Sequence, residues 1–488
     1  MLFNSYIFVL VFLPVSLLIY YVLNYFKFRK ISMALLVLFS LVFYSYNNIK
    51  LTWVLVTSIV GNYLLAYCIN HFWQKWQKKC ILLIGITANV CSIFYFKYFD
   101  FFLSNLNTLF HEDFQLRHMV LPLGISFYTF QQISYLIDTY RGETSGYSFL
   151  EYAAFVSFFP QLVAGPIVLH KEIIPQFRDA GKWKFNHDNF ANGIYVFAVG
   201  MFKKVLIADT LGRAVTWGWN NVDNMTSMEI IIVMLSYTFQ IYFDFSGYSD
   251  MAVGIGKMFN IELPINFDSP YKSYSILEFW KRWHMTLTRF LRNYIYISLG
   301  GSKKGAIRTY INIMVVFLLS GLWHGANWTF VLWGGMHGIA QILNRIFKKS
   351  WDKCNQVFQW LCTFLFINIM WLLFRADSVE QALSLVKRMC RMESLTVRSE
   401  LYNCYFYALP EIDWIAQQIK PLYYIQRKVS GIYMWGTLLT ALFICLNLNN
   451  LYEKAFVPTW KKAVISSTLL VWSIITFSDI TVFLYFNF

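Results

Sequence analysis

The sequence is poor in charged residues. Asp, Glu, Lys and Arg make up 14% of its 488 residues, whereas a soluble globular chain carries roughly 25%. Hydrophobic residues make up 57%, and Phe, Tyr and Trp alone make up 20%. A single aqueous core cannot bury that much apolar surface. The composition therefore excludes an ordinary soluble domain and predicts an all-α integral membrane protein with many spans.

Paired cysteines and internal repeats are also absent. The eight cysteines form no C-x-x-C pair, which argues against a disulfide framework or a zinc site. We therefore expect no metal and no bound cofactor. Without repeats or low-complexity tracts, residues 1–488 are interpreted as one transmembrane domain. The first apolar stretch lacks a basic segment before it and is interpreted as a span rather than a signal peptide.

Basic residues exceed acidic ones by 41 to 26, which gives a net charge of +15. In a soluble protein this excess would suggest nucleic acid as a partner. Here the basic residues lie in short loops between apolar runs. They indicate the positive-inside bias of a protein embedded in lipid, and no nucleic-acid partner is expected.

Twelve apolar runs approach or exceed the roughly 17–25 residues that cross a bilayer. They predict about 12 spans, with the N-terminus outside because basic loops follow the odd-numbered runs. The runs lie at about 5–26, 31–47, 51–71, 80–99, 119–140, 187–207, 228–256, 306–323, 325–345, 356–375, 432–449 and 463–483.

Three further segments can be placed relative to the membrane. Residues 149–169 are apolar but contain two prolines and a glycine, and basic residues follow, which predicts a re-entrant hairpin. Residues 279–308 carry seven basic and no acidic side chains and are predicted to be cytoplasmic. Residues 376–430 carry seven basic and six acidic side chains and are predicted to lie outside.

His324 is the first candidate for chemistry. It follows an apolar run within Ser320–Trp328 (SGLWHGANW) and is predicted to lie at membrane depth, where a helix break at Gly321 or Gly325 would make room for substrate. Ionisable residues are costly at that depth and usually serve a site. A neutral imidazole can take the proton of a hydroxyl as a general base. A hydrogen-bonded packing histidine is the alternative.

His284 is the second candidate. Residues 280–294 place apolar side chains on one helical face and basic side chains on the other, which predicts an amphipathic helix at the cytoplasmic interface. His284 would lie on the buried face, as a site residue or as a satisfied core histidine. The basic face could bind the phosphates of coenzyme A or an acidic carrier protein, although topology alone also explains these charges. Its residues are Lys281, Arg282, Arg289 and Arg292.

Asp244 and Asp250 are two carboxylates within one apolar run, where they need partners, and Arg or His is the expected type. They could orient a base, but tying helices together is the preferred interpretation. His337 lies among glycines and is interpreted as a packing residue. The remaining histidines lie in or near loops and are assigned no role; they are His71, His111, His118, His170 and His187.

Seven motifs occur in one order along nearly the whole chain, and their combination resembles the membrane-bound O-acyltransferase family, specifically its alginate O-acetyltransferase type. No single motif is specific. One departure is Val168-Leu169-His170, where relatives often carry a basic residue after Gly-Pro. The motifs are Leu121–Phe127, Phe159–Ile167, Tyr242–Asp250, Asn266–Tyr271, Glu278–His284, Gly321–Gly325 and Trp371–Ala376.

The resemblance implies acyl transfer from a cytoplasmic thioester to a hydroxyl, in a bacterial cytoplasmic membrane. It implies that His324 matches the family's essential histidine and His284 its second one, with Asp244, Asp250, Trp323 and Asn327 in supporting positions. For this type it implies acetyl-CoA as donor and an extracytoplasmic polysaccharide as final acceptor, with transfer through a tunnel.

Two other functions stay open from the sequence. One is D-alanyl transfer from a carrier protein to teichoic acid, which a related branch of the family performs. The other is a transporter without chemistry, although transporters usually contain internal repeats.

A polymer cannot easily enter a buried tunnel, so we also expect a partner. It would be a secreted SGNH-type protein that relays the acetyl group and docks on residues 376–430, which mix Arg with aromatic residues. A lid of amphipathic helices packed on the membrane domain is the alternative for this segment.

Overall fold

A computed structural model of the protein describes residues 1–46, 48–144, 146–406, 408, 414, 417–419, 430–478 and 483–484. The secondary structure of these residues consists of helices without any strand, as predicted. The α-helices are α1 Leu13–Tyr25, α2 Arg29–Ser45, α3 Ile49–His71, α4 Lys75–Ile93, α5 Phe99–Phe110, α6 Ile125–Tyr140, α7 Phe149–Ser157, α8 Phe159–Leu162, α9 His170–Arg178, α10 His187–Met201, α11 Asp209–Asn220, α12 Ser227–Met258, α13 Ile276–Arg282, α14 Met285–Phe290, α15 Ala306–His324, α16 Trp328–Ile346, α17 Lys348–Trp351, α18 Gln356–Arg375, α19 Val379–Arg391, α20 Ser399–Phe406, α21 Ser430–Asn447 and α22 Trp460–Ile475.

Seven helical stretches among the described residues are long and apolar enough to cross a membrane. The other predicted runs form shorter or more polar helices, so the total of about 12 spans stays a prediction. The seven stretches are Phe8–Tyr25, Ile49–His71, Lys75–Phe110, Ser227–Met258, Ala306–His324, Gln356–Arg375 and Ser430–Asn447.

Helix α12 is the centre of the fold. Its 32 residues span about 48 Å at 1.5 Å per residue. Within its most apolar 18-residue stretch, 89% of the residues are buried. It packs closely on α10 through facing glycines: a Cβ on Gly193 would lie 2.7 Å from the carbonyl oxygen of Gly254, and one on Gly200 would lie 2.7 Å from that of Gly247. Small residues let helix backbones approach this closely in membranes.

The predicted amphipathic helix over 280–294 is wrong in its continuity. Helix α13 ends at Arg282 and α14 begins at Met285, with His284 between them in the left-handed region at φ 46°. Its ring lies 4.8 Å from that of Phe245, near the middle of α12. The break turns His284 into the bundle, while Lys281 and Arg292 stay exposed. The predicted buried face is confirmed, and His284 is fully buried.

The predicted re-entrant segment is broken, as its prolines indicated. Helices α7 and α8 have nine and four residues, both too short to cross a bilayer.

The segment predicted to lie outside is only partly described, because residues 407, 409–413, 415–416 and 420–429 fall outside the described ranges. Its helix α19 lies against the start of α12, where the Ser227 hydroxyl donates to the Arg388 carbonyl at 2.8 Å. Tyr405 on α20 is buried and shares a hydrogen bond with Ser236. The described part is thus packed on the membrane helices, as the lid alternative expected.

Candidate active site

His284 is held by Asn266, which lies in the segment between α12 and α13. The Asn266 side-chain oxygen lies 3.1 Å from His284 Nδ1, and it accepts the Thr286 hydroxyl at 2.9 Å and the Thr286 N–H at 3.3 Å. Because the other two groups are donors, the atom facing His284 is an acceptor, so Nδ1 carries the proton. The neutral ring then has its lone pair on Nε2, as a base requires.

Trp323 lies between the two candidate histidines. Its ring centroid is 5.8 Å from that of His284 and 4.9 Å from that of His324. Both histidines are buried, at 0% and 4% exposure. Trp333 and Phe374 pack edge-on against His324 at 5.1 and 5.2 Å. The fold thus brings the two predicted histidines to one aromatic site inside the bundle.

A small cavity reaches His324 from one side. It has a volume of about 40 Å³ and is lined by Lys97, residues 121–127, Val163, Trp323 and His324. One water needs roughly 10–15 Å³, so this cavity has room for about three waters, or for an acetyl group of three heavy atoms. Gly124 shapes its wall: φ is 68°, and a Cβ there would lie 2.6 Å from the Leu162 carbonyl oxygen.

Helix α15 continues through Gly321 and ends at His324, so of the two predicted break points only Gly325 lies at a helix end. The Cβ position of Gly321 points at the carbonyl of Phe330 on α16. Gly321 therefore serves close helix packing, and the space beside His324 results from the chain leaving the helix at Gly325.

A larger cavity of about 330 Å³ lies along the middle of α15 and beside the C-terminal half of α16. Its apolar walls include Trp280 and Phe317, and its polar lining includes Ser320, one helical turn before His324. Three exposed cations also line it, and they are Lys281, Arg292 and Arg345.

The four predicted donor-binding residues separate into two pairs. Lys281 and Arg292 line the larger cavity. Arg282 instead pairs with Glu278 at 3.0 Å and Asp268 at 3.3 Å. Arg289 pairs with Glu172 at 2.9 Å and also donates to a backbone carbonyl. Arg282 and Arg289 therefore form ion pairs within the fold.

Asp244 and Asp250 do not join the histidine site, and their partners are lysines instead of the expected Arg or His. Lys204 lies 2.6 Å from Asp244, and Lys203 lies 2.6 Å from Asp250. Both lysines belong to the π-helical stretch Phe202–Ala208 that joins α10 to α11. These ion pairs tie that stretch to α12, which is the helix-tying role preferred from the sequence.

Two other predicted residues have structural contacts. Asn327 caps α16 by accepting from the Thr329 N–H at 3.1 Å, and its amide donates to the Asp377 carbonyl at 2.9 Å. His337 is buried and accepts the Trp280 indole N–H at 3.2 Å.

Three residues with specific contacts in the fold were not identified from the sequence. His170 was assigned no role, yet it is fully buried with Nε2 3.1 Å from Asp138. Asn266 was quoted in a motif without a function. Lys97 was passed over within an apolar run, although a lysine at that depth is itself a signal.

The model of the membrane-bound O-acyltransferase family matches residues 41–378. The chain belongs to this family. The O-acyltransferase match contains every motif residue discussed above, including both histidines.

Curated relatives agree with the family. The chain is 44% identical over 427 residues to the peptidoglycan O-acetyltransferase of Helicobacter pylori, covering 81% of each chain. It is 39% identical over 399 residues to a probable alginate O-acetylase of Pseudomonas aeruginosa, covering 78% of this chain and 73% of the relative. A teichoic acid D-alanyltransferase of Bacillus subtilis is 28% identical over 257 residues, half of this chain.

These matches confirm that the chain is an O-acetyltransferase of the membrane-bound family. They also agree with the predicted location in a bacterial cytoplasmic membrane. A transporter without chemistry is not supported, because the family consists of acyltransferases.

Asn266→Ala is expected to impair this O-acyltransferase in two ways. The three donors that converge on the amide oxygen would lose their buried acceptor, which costs about 1–3 kcal/mol of stability. His284 would also lose the contact that fixes its tautomer, so we expect activity per folded molecule to fall by about tenfold or more. Thermal unfolding in detergent and acetyl-transfer rates measure the two effects separately.

Asn260→Ala is the matched control for Asn266→Ala. Asn260 is also buried, and its amide donates to the Lys182 carbonyl at 3.0 Å, outside the histidine site. It should lose stability but keep its activity per folded molecule. Full activity of the Asn266 variant would contradict the positioning role.

Proposed function

We propose that the chain transfers an acetyl group from acetyl-CoA in the cytoplasm to a hydroxyl of an extracytoplasmic polysaccharide, with His324 as the base. One observation carries this proposal. The small cavity at the C-terminal end of α15 contains His324, while the larger, cation-lined cavity approaches the same point along the body of that helix. Two substrates could thus meet at His324 from different directions.

The reaction needs a proton acceptor at the meeting point. The acceptor hydroxyl gives its proton to the His324 imidazole while its oxygen bonds to the thioester carbon. The C–S bond then breaks, and the leaving thiolate takes the proton back from the imidazolium. His284 would lie on the donor side, with its lone pair on Nε2. His324 could instead carry the acetyl group itself, and acetyl retained on the protein without acceptor would reveal that route.

The acceptor is proposed from the relatives. The Helicobacter pylori relative is named for peptidoglycan and the Pseudomonas aeruginosa relative for alginate. The higher identity to the former favours a peptidoglycan-like glycan. Base-labile acetate should be measured on purified peptidoglycan and on exopolysaccharide, from cells with and without the gene. Acetate that disappears from neither polymer would refute this acceptor class.

The donor is tested with the purified chain in vesicles. Labelled acetyl-CoA should pass its label to a short soluble oligosaccharide, which can reach the site without the relay, and a D-alanyl carrier protein should pass none. Transfer from the carrier alone would replace the acetyl proposal by the D-alanyl alternative.

The larger cavity is proposed to bind the donor. Its apolar walls suit the pantetheine arm, and its exposed cations suit the phosphates. Lys281→Gln and Arg292→Gln should each raise KM for acetyl-CoA by about two- to fivefold with little change in kcat, because an exposed charge pair contributes up to about 1 kcal/mol. The effect should weaken at high salt.

Lys303→Gln is the matched control for the two donor-cavity variants. It removes the same charge from the same basic segment, and Lys303 is exposed but does not line the cavity. An equal KM change in all three variants would show that only the general charge of the segment matters.

A secreted SGNH-type relay stays part of the proposal. The described part of residues 376–430 supports a narrower docking surface than the sequence suggested, since Tyr405 is buried while Tyr402 is partly exposed. A crosslinker at Tyr402 should capture the relay in cells. Acetylation of polymer by the purified chain and donor alone would show that no relay is needed.

A further inference from the structure

Lys97 is an ionisable residue at membrane depth whose charge the fold does not balance. It lies in the π-helical turn Phe94–Tyr98, inside the continuous span Lys75–Phe110. Among the residues that the structure describes, no carboxylate lies within ion-pair distance of Lys97. Lys203 and Lys204, by contrast, each pair with an aspartate. A charge without a counter-ion is expensive at membrane depth. A lysine at this depth therefore indicates a specific function.

The ammonium of Lys97 is placed at the catalytic histidine. It donates to the carbonyl of Trp323 at 2.7 Å and to that of His324 at 2.9 Å. These carbonyls lack helical partners because α15 ends at His324. Two of its three N–H bonds are thereby used, and no acceptor in the described part of the chain takes the third. Lys97 also lines the small cavity that contains His324.

Capping of α15 does not by itself require a charge. The neighbouring Tyr98 caps the same helix end with a neutral hydroxyl, which donates to the Leu322 carbonyl. Tyr98 does not line the small cavity. The two adjacent residues thus hold the same helix end, and only the charged one faces the reaction space.

We propose that Lys97 is a catalytic residue that stabilises the oxyanion of the acetyl-transfer step, an inference that rests on the proposed function. When the hydroxyl oxygen bonds to the thioester carbon, the carbonyl π electrons move onto the carbonyl oxygen and His324 takes the hydroxyl proton. The third N–H of Lys97 donates to that oxygen. Collapse of the intermediate reforms the C=O bond, breaks the C–S bond and returns the proton to the thiolate.

Lys97 would lower the activation free energy because its ammonium is in position before the reaction begins. Negative charge develops in a small cavity of about 40 Å³ between protein walls, where a fixed positive donor is worth more than in bulk water. The two carbonyl bonds hold the ammonium in place before the charge develops. Losing one such donor typically costs about 10²–10³-fold in kcat.

The test compares Lys97→Met, Lys97→Arg, Lys97→Ala and Tyr98→Phe in the purified chain, with acetyl-CoA and a short soluble oligosaccharide as acceptor. Lys97→Met should lower kcat by about 10²–10³-fold and leave KM for acetyl-CoA within about threefold. Lys97→Arg keeps a cation and should retain far more activity. Tyr98→Phe should stay within about threefold of wild type. Added methylammonium should restore part of the activity of Lys97→Ala, because it refills the vacated space with a cation.

Two results would overturn the inference. One is a Lys97→Met variant with kcat within about threefold of wild type. The other is an equal loss of activity in Lys97→Met and Tyr98→Phe, accompanied by a lower unfolding temperature. That result would show that Lys97 only caps α15. If wild type itself transfers no acetyl from acetyl-CoA, the proposed function fails first, and this assay distinguishes the two failures.

Discussion

His324→Gln is expected to lower acetyl transfer by about 10²–10⁴-fold, the range that a positioned acid–base group contributes. The imidazole borders the cavity at the end of α15, and a second imidazole, that of His284, lies next to the same Trp323. Glutamine fills similar space and can hydrogen-bond, but it cannot take a proton at neutral pH. We therefore expect normal insertion and folding with almost no product. Acetate on the cell-surface polymer and transfer by the purified chain both measure this.

His337→Gln is the matched control for His324→Gln. This imidazole is equally buried, lies against the same Trp333 and accepts a hydrogen bond that glutamine can also accept. It lines neither the small cavity at His324 nor the larger one along α15. It should retain most of its activity. Near-normal activity of His324→Gln, or equal losses in both variants, would exclude His324 as the base.

The sequence predicted well what depends on apolar pattern. The helical membrane fold, the broken segment at 149–169 and the buried face around His284 all follow from where apolar and helix-breaking residues lie. The motif at His324 was enough to place an imidazole at the end of a membrane helix. These features are set locally, by a few neighbouring residues and the solvent that surrounds them.

What the sequence could not predict depends on contacts between distant segments. No glycine or proline marks the break at His284; its left-handed backbone is held by Asn266, 18 residues earlier. The lysine partners of Asp244 and Asp250 come from a π-helical stretch more than 35 residues away. The pairing of Asp138 with His170 joins two helices in the same way. Periodicity describes one helix and contains no information on which others it meets.

Gly334→Ala is expected to damage both stability and activity, because α15 and α16 touch backbone to backbone at this point. A Cβ on Gly334 would overlap the Phe317 carbonyl oxygen, and the Cα of Gly321 faces it across the same crossing. A backbone group cannot move aside as a flexible side chain can, so the helices must separate. Overpacking of this kind costs about 1–3 kcal/mol.

The loss of activity should exceed the loss of folded protein. Trp333, next to Gly334, packs on His324 at 5.1 Å, and His324 ends the helix that would be displaced. A shift of about 1 Å in a reacting group can cost about 10²-fold in rate. Unfolding temperature in detergent and transfer per folded molecule separate the two effects.

Gly335→Ala supplies the control within the same helix turn. A Cβ on Gly335 would meet only the Leu318 side chain at 3.7 Å, an ordinary contact. The Gly335→Ala variant should have the same free energy of unfolding as wild type or a slightly higher one, because alanine is about 1 kcal/mol more favourable than glycine in a helix. Equal behaviour of the two alanine variants would show that α15 and α16 can separate without cost. The geometry of His324 would then not depend on this crossing, and the aromatic rings around it would have to hold the imidazole alone.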